Sequence, residues 1–244
     1  MTAPVPSGSF SASDMLDAAY RRFKSGALKC LPLMLPAVLA VQAADIYWLL
    51  SGHQNTKVAE PRDGTFIVLT IVGLLLFVWL MGAVMLRLQA LRVGGLRGAV
   101  DDLKESAALW PGLLTTTLLA SALVMLGLLA LLIPGIWLSV CLAPLYPIAL
   151  IERPAPAAAI RRCIALVKPI WFKVLAALVI GMLIAIVCLF TVGVVLMLIL
   201  GGATTPLTTA IVTTVSLLVV ALAQLFFLSL SLEIYWSSSA SASA

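Results

Sequence analysis

Residues 174–232 read VLAALVIGMLIAIVCLFTVGVVLMLILGGATTPLTTAIVTTVSLLVVALAQLFFLSLSL, and this stretch of 59 residues contains no charged side chain. Residues 109–151 form a second charge-free run, of 43 residues. One helical crossing of a hydrocarbon core about 30 Å thick needs about 20 apolar residues. Each run is therefore long enough for two crossings and predicts a pair of membrane-spanning helices.

The composition of the whole chain agrees with these runs. Of its 244 residues, 63% are hydrophobic and 10% are charged, and the mean hydropathy is +1.17. A soluble domain carries about a quarter charged residues, so this chain lacks the polar surface that a water-soluble globule needs. Strands of a membrane barrel alternate polar and apolar residues, and these runs do not alternate. The sequence predicts an all-α integral membrane protein.

Hydropathy predicts six transmembrane helices in one membrane domain. We expect this domain to cover residues 13–236, between a disordered N-terminus at residues 1–12 and a disordered Ser/Ala tail at residues 237–244. Ile133-Pro134-Gly135 is predicted to form a very tight reversal between the third and fourth spans. The predicted spans are about 31–50, 65–86, 113–133, 134–151, 174–200 and 207–232.

The distribution of Lys and Arg predicts the orientation. Thirteen of these residues fall before the first span or in the connections 87–108 and 152–173, and only Lys57 and Arg62 fall on the other side. Basic residues are enriched on the cytoplasmic side of membrane proteins. We therefore expect both termini and the connections 87–108 and 152–173 in the cytoplasm. Because this distribution accounts for the net charge of +5, no nucleic-acid partner is expected.

Short amphipathic stripes precede the first, third and fifth spans, and each stripe ends at a helix breaker: Gly26, Pro111-Gly112 or Pro169. Such helices typically lie in the membrane interface, with the apolar face among the acyl chains. The pattern predicts three repeats of an amphipathic interfacial helix plus a helical hairpin. Three ordinary helical linkers are the alternative. The stripes are Leu16, Ala19, Tyr20 and Phe23; Val100, Leu103, Ala107 and Trp110; and Ile160, Cys163, Ile164 and Val167.

Residue patterns for catalysis or cofactor binding are lacking. His53 is the one histidine, so a histidine-based metal site would have no second imidazole. The four cysteines form no CxxC pair, and they are expected to be reduced and packed. There is no P-loop and no GxSxG motif. We expect a protein without enzymatic activity, without cofactor and without metal.

Three polar residues inside the predicted spans form a candidate intramembrane polar site. Gln42 and Asp45 fall in the outer half of the first span, and Gln224 falls inside the sixth. Buried polar groups in membranes are often functional, so these residues favour, as one alternative, a small transporter or channel with a polar pathway near Asp45. The structural alternatives are a solvated carboxylate near the outer interface and a glutamine that links two helices. Glu152, Glu233 and Arg87, at span ends, are expected to be interfacial anchors.

Small residues and prolines predict local packing and bending. Ala177, Gly181 and Ala185 follow one another at four-residue spacing, which permits close helix contact with another span or with another copy of the chain. Two prolines in the first span, and Pro144 and Pro147 in the fourth, remove backbone donors and predict kinks.

Two stretches carry a family resemblance. Residues 131–180 contain the turn Ile133-Pro134-Gly135-Ile136-Trp137, an Ala/Arg amphipathic helix and Lys168-Pro169-Ile170-Trp171, and the second stretch is residues 11–40. Both are similar to bacterial membrane proteins related to the membrane domain of some glycerophosphodiester phosphodiesterases and to the YciC-type inner-membrane proteins. The resemblance implies a six-span inner-membrane protein. In the fused relatives the catalytic residues lie in a separate soluble barrel, and the resemblance therefore implies no catalysis here.

The resulting hypothesis is a non-enzymatic inner-membrane protein that interacts with lipid or envelope components. Its expected partners are anionic lipid headgroups, because juxtamembrane basic residues are attracted to them. A scaffold subunit of a larger membrane complex, with a membrane-protein partner or a second copy of the chain, is a further alternative. The candidate headgroup contacts are Arg21, Arg22, Arg161, Arg162 and Lys168.

Overall fold

The computed structural model describes residues 11–51, 63–95, 98–199 and 206–242, and every secondary-structure element within them is helical. These ranges contain eight α-helices, with a π-helix after α5 and a 3₁₀ helix between α6 and α7. In chain order the elements are α1 (Ala12–Leu50), α2 (Gly64–Val93), α3 (Ala99–Ala130), α4 (Leu132–Cys141), α5 (Leu145–Pro147), the π-helix (Ile148–Glu152), α6 (Pro156–Val167), the 3₁₀ helix (Lys168–Ile170), α7 (Trp171–Ile199) and α8 (Pro206–Ala242).

Long apolar helices dominate the fold, as the sequence predicted. Five helices in the described residues are long and apolar enough to cross a membrane, and the bent pair Leu132–Cys141 and Leu145–Glu152 gives a sixth if it is one span. The all-α prediction is confirmed for the described residues. The loop that contains His53, Lys57 and Arg62 lies outside them.

Two predicted breakers do not interrupt their helices. α1 continues through Gly26, where an added Cβ would lie 3.1 Å from Leu88 Cδ2, so this glycine permits close contact with α2. α3 continues through Pro111, because the residues on both sides pack on α2 or within the core: the Trp110 indole donates to the carbonyl of Leu75 at 3.2 Å, and Leu113 is buried. Tertiary packing here outweighs local helix propensity. At the third breaker, Pro169, residues 168–170 form a 3₁₀ helix, and the helical run Pro156–Ile199 continues through it without a non-helical residue.

The reversal between the third and fourth spans lies a few residues earlier than predicted. α3 ends at Ala130, and Leu131 has extended backbone (φ −162°, ψ 141°) before α4 begins. Gly127 and Gly135 face each other there, and a Cβ added to Gly127 would lie 3.0 Å from Gly135 Cα. The two glycines thus let the helix backbones touch directly beside the turn, which removes the need for a longer loop.

The fourth span is broken in its middle. α4 and the segment Leu145–Glu152 are bent by 48° relative to each other, which confirms the kink predicted from Pro144 and Pro147. The break leaves backbone carbonyls without helical partners, and Ser231 Oγ of α8 donates to one of them, the carbonyl of Ala143, at 2.7 Å. After the π-helix, Arg153 adopts a left-handed conformation (φ 51°) and turns the chain into α6.

The small-residue face of α7 packs against another span of the same chain. Ala177 and Gly181 are buried, and a Cβ added to Gly181 would lie 3.1 Å from Phe226 Cε1 and 3.5 Å from Phe227 Cε1. This observation answers the question that the sequence left open, because α8 supplies the partner surface. The third residue of the face, Ala185, is only half-buried.

The outer part of α7 has a different character. None of residues 182–199 is buried, and most of their apolar side chains are exposed. α7 therefore packs against the bundle only through the half nearest α6.

The Ser/Ala tail is helical as far as it is described, whereas the sequence predicted a disordered segment from residue 237. α8 runs to Ala242, and Ser238 is buried. The hydroxyl groups of Ser237 and Ser238 donate to the carbonyl of Ile234, and that of Ser239 to the carbonyl of Tyr235. These serines therefore satisfy their own polar groups on the helix, and low sequence complexity did not prevent packing. At the other end, α1 already begins at Ala12.

Candidate functional site

The charged residues that precede or follow the apolar stretches meet at one end of the bundle, which we call the basic end. It comprises the first half of α1, the last turns of α2, the first turns of α3, α6 with the 3₁₀ helix, and the last turns of α8. Ten basic side chains here are exposed in the described residues, and three of them, Arg92, Arg153 and Arg162, form ion pairs. The seven exposed basic side chains without an ion pair in the described residues are Arg21, Lys24, Lys29, Lys104, Arg161, Lys168 and Lys173.

Three helices are joined at the basic end by one carboxylate. Glu233 of α8 is only 8% exposed, and it accepts hydrogen bonds from Arg22 of α1 and from Arg92 of α2, whose Nη1 lies 3.4 Å from Glu233 Oε2. The Arg92 guanidinium also stacks over the ring of Trp236, 4.7 Å from its centroid. Arg22 is thus held inside the protein and does not belong to the exposed basic residues of this end. The sequence placed Glu233 as an interfacial anchor and gave no signal for this pairing.

A second carboxylate, Glu152 at the end of the π-helix, ties α6 to α8. Arg162 Nε lies 3.2 Å from Glu152 Oε2, and the Tyr235 hydroxyl donates to Glu152 Oε1 at 3.2 Å. Beside it, Arg153 Nη2 lies 2.6 Å from Glu105 Oε1 of α3. Both Arg161 and Arg162 of α6 are exposed, but only Arg162 forms an ion pair in the described residues.

The first turns of α3 bury polar rather than apolar residues. Asp102 and Ser106 are fully buried, with Asp102 Oδ2 3.9 Å from Arg87 Nη1 and Ser106 Oγ donating to the carbonyl of Trp79 at 2.6 Å. Val100 is 61% exposed. The polar face thus packs on α2, because Gly82 leaves room for Ser106: a Cβ added to this glycine would lie 2.5 Å from the hydroxyl oxygen. The periodicity of apolar residues in the sequence does not indicate that the polar face of α3 is the one that packs on α2.

The stripe on α6 is buried in the protein instead of facing acyl chains. Ile160, Cys163 and Val167 are at most 6% exposed, and they pack into clusters with residues of α3, α4, α7 and α8. This corrects the interfacial orientation predicted for that face. The exposed surface of α6 is therefore its basic side, which carries Arg161.

A pocket of about 500 Å³ lies beside the 3₁₀ helix that joins α6 to α7, lined by Trp137 of α4 and residues 168–173. The Trp171 indole donates to the carbonyl of Trp137 at 3.2 Å and holds the two walls of the pocket together. The rings of Trp171 and Phe172 meet edge to face at 4.9 Å, and Phe172 is 79% exposed. Two cations, Lys168 and Lys173, line the same pocket. We call this feature the elbow pocket.

The predicted intramembrane polar residues are not gathered into one site. Asp45 is exposed, while Gln42 of the same helix and Gln224 of α8 are half-buried. Among the described residues these three side chains form no hydrogen bond with one another. An exposed Asp45 fits the solvated-carboxylate interpretation better than a pathway through the interior of the bundle.

Metal and thiol chemistry find no support in the described residues. No group of three or more His, Cys, Asp or Glu side chains there is arranged to hold a metal ion, and His53 lies outside the described part of the chain. All four cysteines are free: Cys30, Cys141 and Cys163 are buried, and Cys188 is exposed. The three buried thiols are packed, as expected.

The chain matches no family model, no curated protein and no solved structure. The resemblance to the phosphodiesterase membrane domain and the YciC-type proteins therefore stays a prediction.

Proposed function

We propose that this chain is a non-enzymatic, multi-pass protein of the bacterial inner membrane that binds anionic lipid headgroups at its basic end. One observation carries the proposal. Of the seven acidic side chains at this end, four (Asp102, Glu105, Glu152 and Glu233) form ion pairs with arginines of the protein, whereas seven exposed basic side chains have no such partner in the described residues. The exposed acidic side chains without an ion pair in the described residues are only three, Asp14, Asp17 and Asp101, so the surface of this end is net positive.

Membrane orientation follows from the same charges. The basic end belongs on the cytoplasmic side if the positive-inside rule applies, and both termini then lie in the cytoplasm. That leaflet carries the negative surface potential that attracts juxtamembrane Lys and Arg. We retain six spans in three units as part of the proposal, with the hairpins α1–α2, α3–α4 and α7–α8. In the first two units the amphipathic segment is continuous with its span.

The test is lipid selectivity in nanodiscs of mixed phosphatidylglycerol and phosphatidylcholine. Native mass spectrometry of the released protein is expected to show preferential retention of phosphatidylglycerol. Each basic residue near an anionic surface contributes about fivefold, so Arg21→Gln combined with Arg161→Gln is expected to reduce the preference by about 25-fold. The matched control is Lys57→Gln combined with Arg62→Gln, which removes two charges from the loop that is predicted to lie on the opposite side of the membrane. Equal retention of both lipids by the unmodified protein would overturn the proposal.

A further inference from the structure

We propose that the elbow pocket is a discrete binding site for one anionic phospholipid. Its phosphate lies between Lys168 and Lys173, and an acyl chain leaves along the exposed apolar flank of α7. This inference rests on the proposed function and narrows it, since it assigns the most tightly bound lipid to a single pocket within the basic end.

Charge complementarity selects an anion as the occupant. Lys168 and Lys173 line the pocket together, and no carboxylate is among the lining residues. Both lysines are exposed, and neither makes an ion pair within the described part of the chain. Arg22, Arg92 and Arg162 at the same end each have a glutamate partner. The elbow pocket is therefore a concave site whose positive charge the protein itself leaves uncompensated.

The aromatic walls indicate that the anion carries a hydrocarbon part. Trp137, Trp171 and Phe172 surround the two lysines, and tryptophan is enriched where headgroups meet the hydrocarbon region. The hydrogen bond between the Trp171 indole and the Trp137 carbonyl fixes this wall before any ligand arrives. A preformed wall reduces the ordering that binding requires. A free inorganic anion would leave Phe172, which is 79% exposed, without an apolar ligand to cover it.

The position along the chain matches the depth of a phospholipid headgroup. Lys173 is the last charged residue before the 59 charge-free residues that begin at Val174. Beyond it, α7 exposes Ile180, Met182 and Leu183 to the surroundings of the protein. A volume of about 500 Å³ falls in the usual range for small-ligand pockets and accommodates a headgroup with its glycerol.

The experiment compares two pairs of lysines that differ only in place. Lys168→Gln combined with Lys173→Gln removes both cations of the elbow pocket. Lys24→Gln combined with Lys29→Gln removes two exposed lysines of α1 at the same sequence spacing, and neither of these lines the pocket. Phosphatidylglycerol is titrated into the detergent-solubilised protein, and native mass spectrometry gives the dissociation constant of the first adduct.

The pocket variant is expected to bind the first lipid about 25-fold more weakly, since each lysine contributes about fivefold. The α1 variant is expected to change this dissociation constant by less than about threefold, because a detergent micelle has no anionic bilayer surface to attract cations outside the pocket. An equal loss in both variants, or no loss in the pocket variant, would overturn the single-site inference and leave the proposed function standing. No preference of the unmodified protein for phosphatidylglycerol over phosphatidylcholine would overturn the proposed function as well.

Discussion

Glu233→Gln is expected to destabilise the protein by about 2–3 kcal/mol, because it removes the charge that joins α1, α2 and α8. At the 3.4 Å separation of Arg92 Nη1 and Glu233 Oε2, Coulomb attraction at an effective dielectric constant of 20 is about 5 kcal/mol before desolvation. Removing one partner of a fully buried pair costs about 3–5 kcal/mol. We take a lower value here because the Arg92 side chain is 31% exposed and its charge is partly solvated after the substitution.

The assay is unfolding in mixed micelles by SDS, with helicity as the readout and the free energy of unfolding as the result. Asp17→Asn is the matched control, since Asp17 is an exposed carboxylate of α1, and it is expected to change stability by less than about 0.5 kcal/mol. A double-mutant cycle of Glu233→Gln with Arg22→Gln is expected to give a coupling energy of at least about 1 kcal/mol. If Glu233→Gln destabilised the protein no more than Asp17→Asn, the structural role of the carboxylate would be refuted.

Two further substitutions test the helix contacts by the same unfolding assay. Gly73→Ala is expected to destabilise the protein by about 2–3 kcal/mol, because the added Cβ would lie 2.1 Å from the Ala40 carbonyl oxygen. The control is Gly112→Ala, which is expected to be neutral or slightly stabilising because no atom lies within 4 Å of its added Cβ. Equal effects of the two substitutions would contradict the close contact of α1 and α2. Ser231→Ala is expected to destabilise the protein by about 1 kcal/mol, since the carbonyl of Ala143 loses the hydrogen bond of 2.7 Å from the Ser231 hydroxyl. An unchanged free energy of unfolding would show that the broken span does not depend on α8.

The apolar helices were predictable because placing charge in hydrocarbon is unfavourable, so long charge-free runs mark them directly. The ends of helices were less predictable. Pro111 looks like a terminator locally, yet contacts of Trp110 and Leu113 outside the local sequence hold α3 continuous across it. The same applies at Gly26, where the missing side chain serves packing against Leu88 instead of ending the helix.

The candidate site was predictable only in outline. Its sequence signal was the clustering of basic residues, which identified Arg161 and Lys168 as surface cations. The signal did not separate them from Arg22, because the partner of Arg22 lies 211 residues away in the chain. Trp137 likewise precedes Trp171 by 34 residues, and the hydrogen bond from the Trp171 indole to the Trp137 carbonyl does not correspond to any periodic pattern in the sequence. The burial of Asp102 was not predicted either, because it depends on packing against α2, which lies elsewhere in the chain.

The two parts of α7 are under different constraints during evolution. Residues near Ala177 and Gly181 fit against the aromatic rings of α8, so a change in size there requires a compensating change in the partner. None of residues 182–199 is buried, so close packing does not restrict the size of their side chains, and hydrophobicity is the property they must keep. In related sequences we therefore expect free exchange among Leu, Ile, Val, Met and Phe beyond residue 181, and slow, correlated substitution before it.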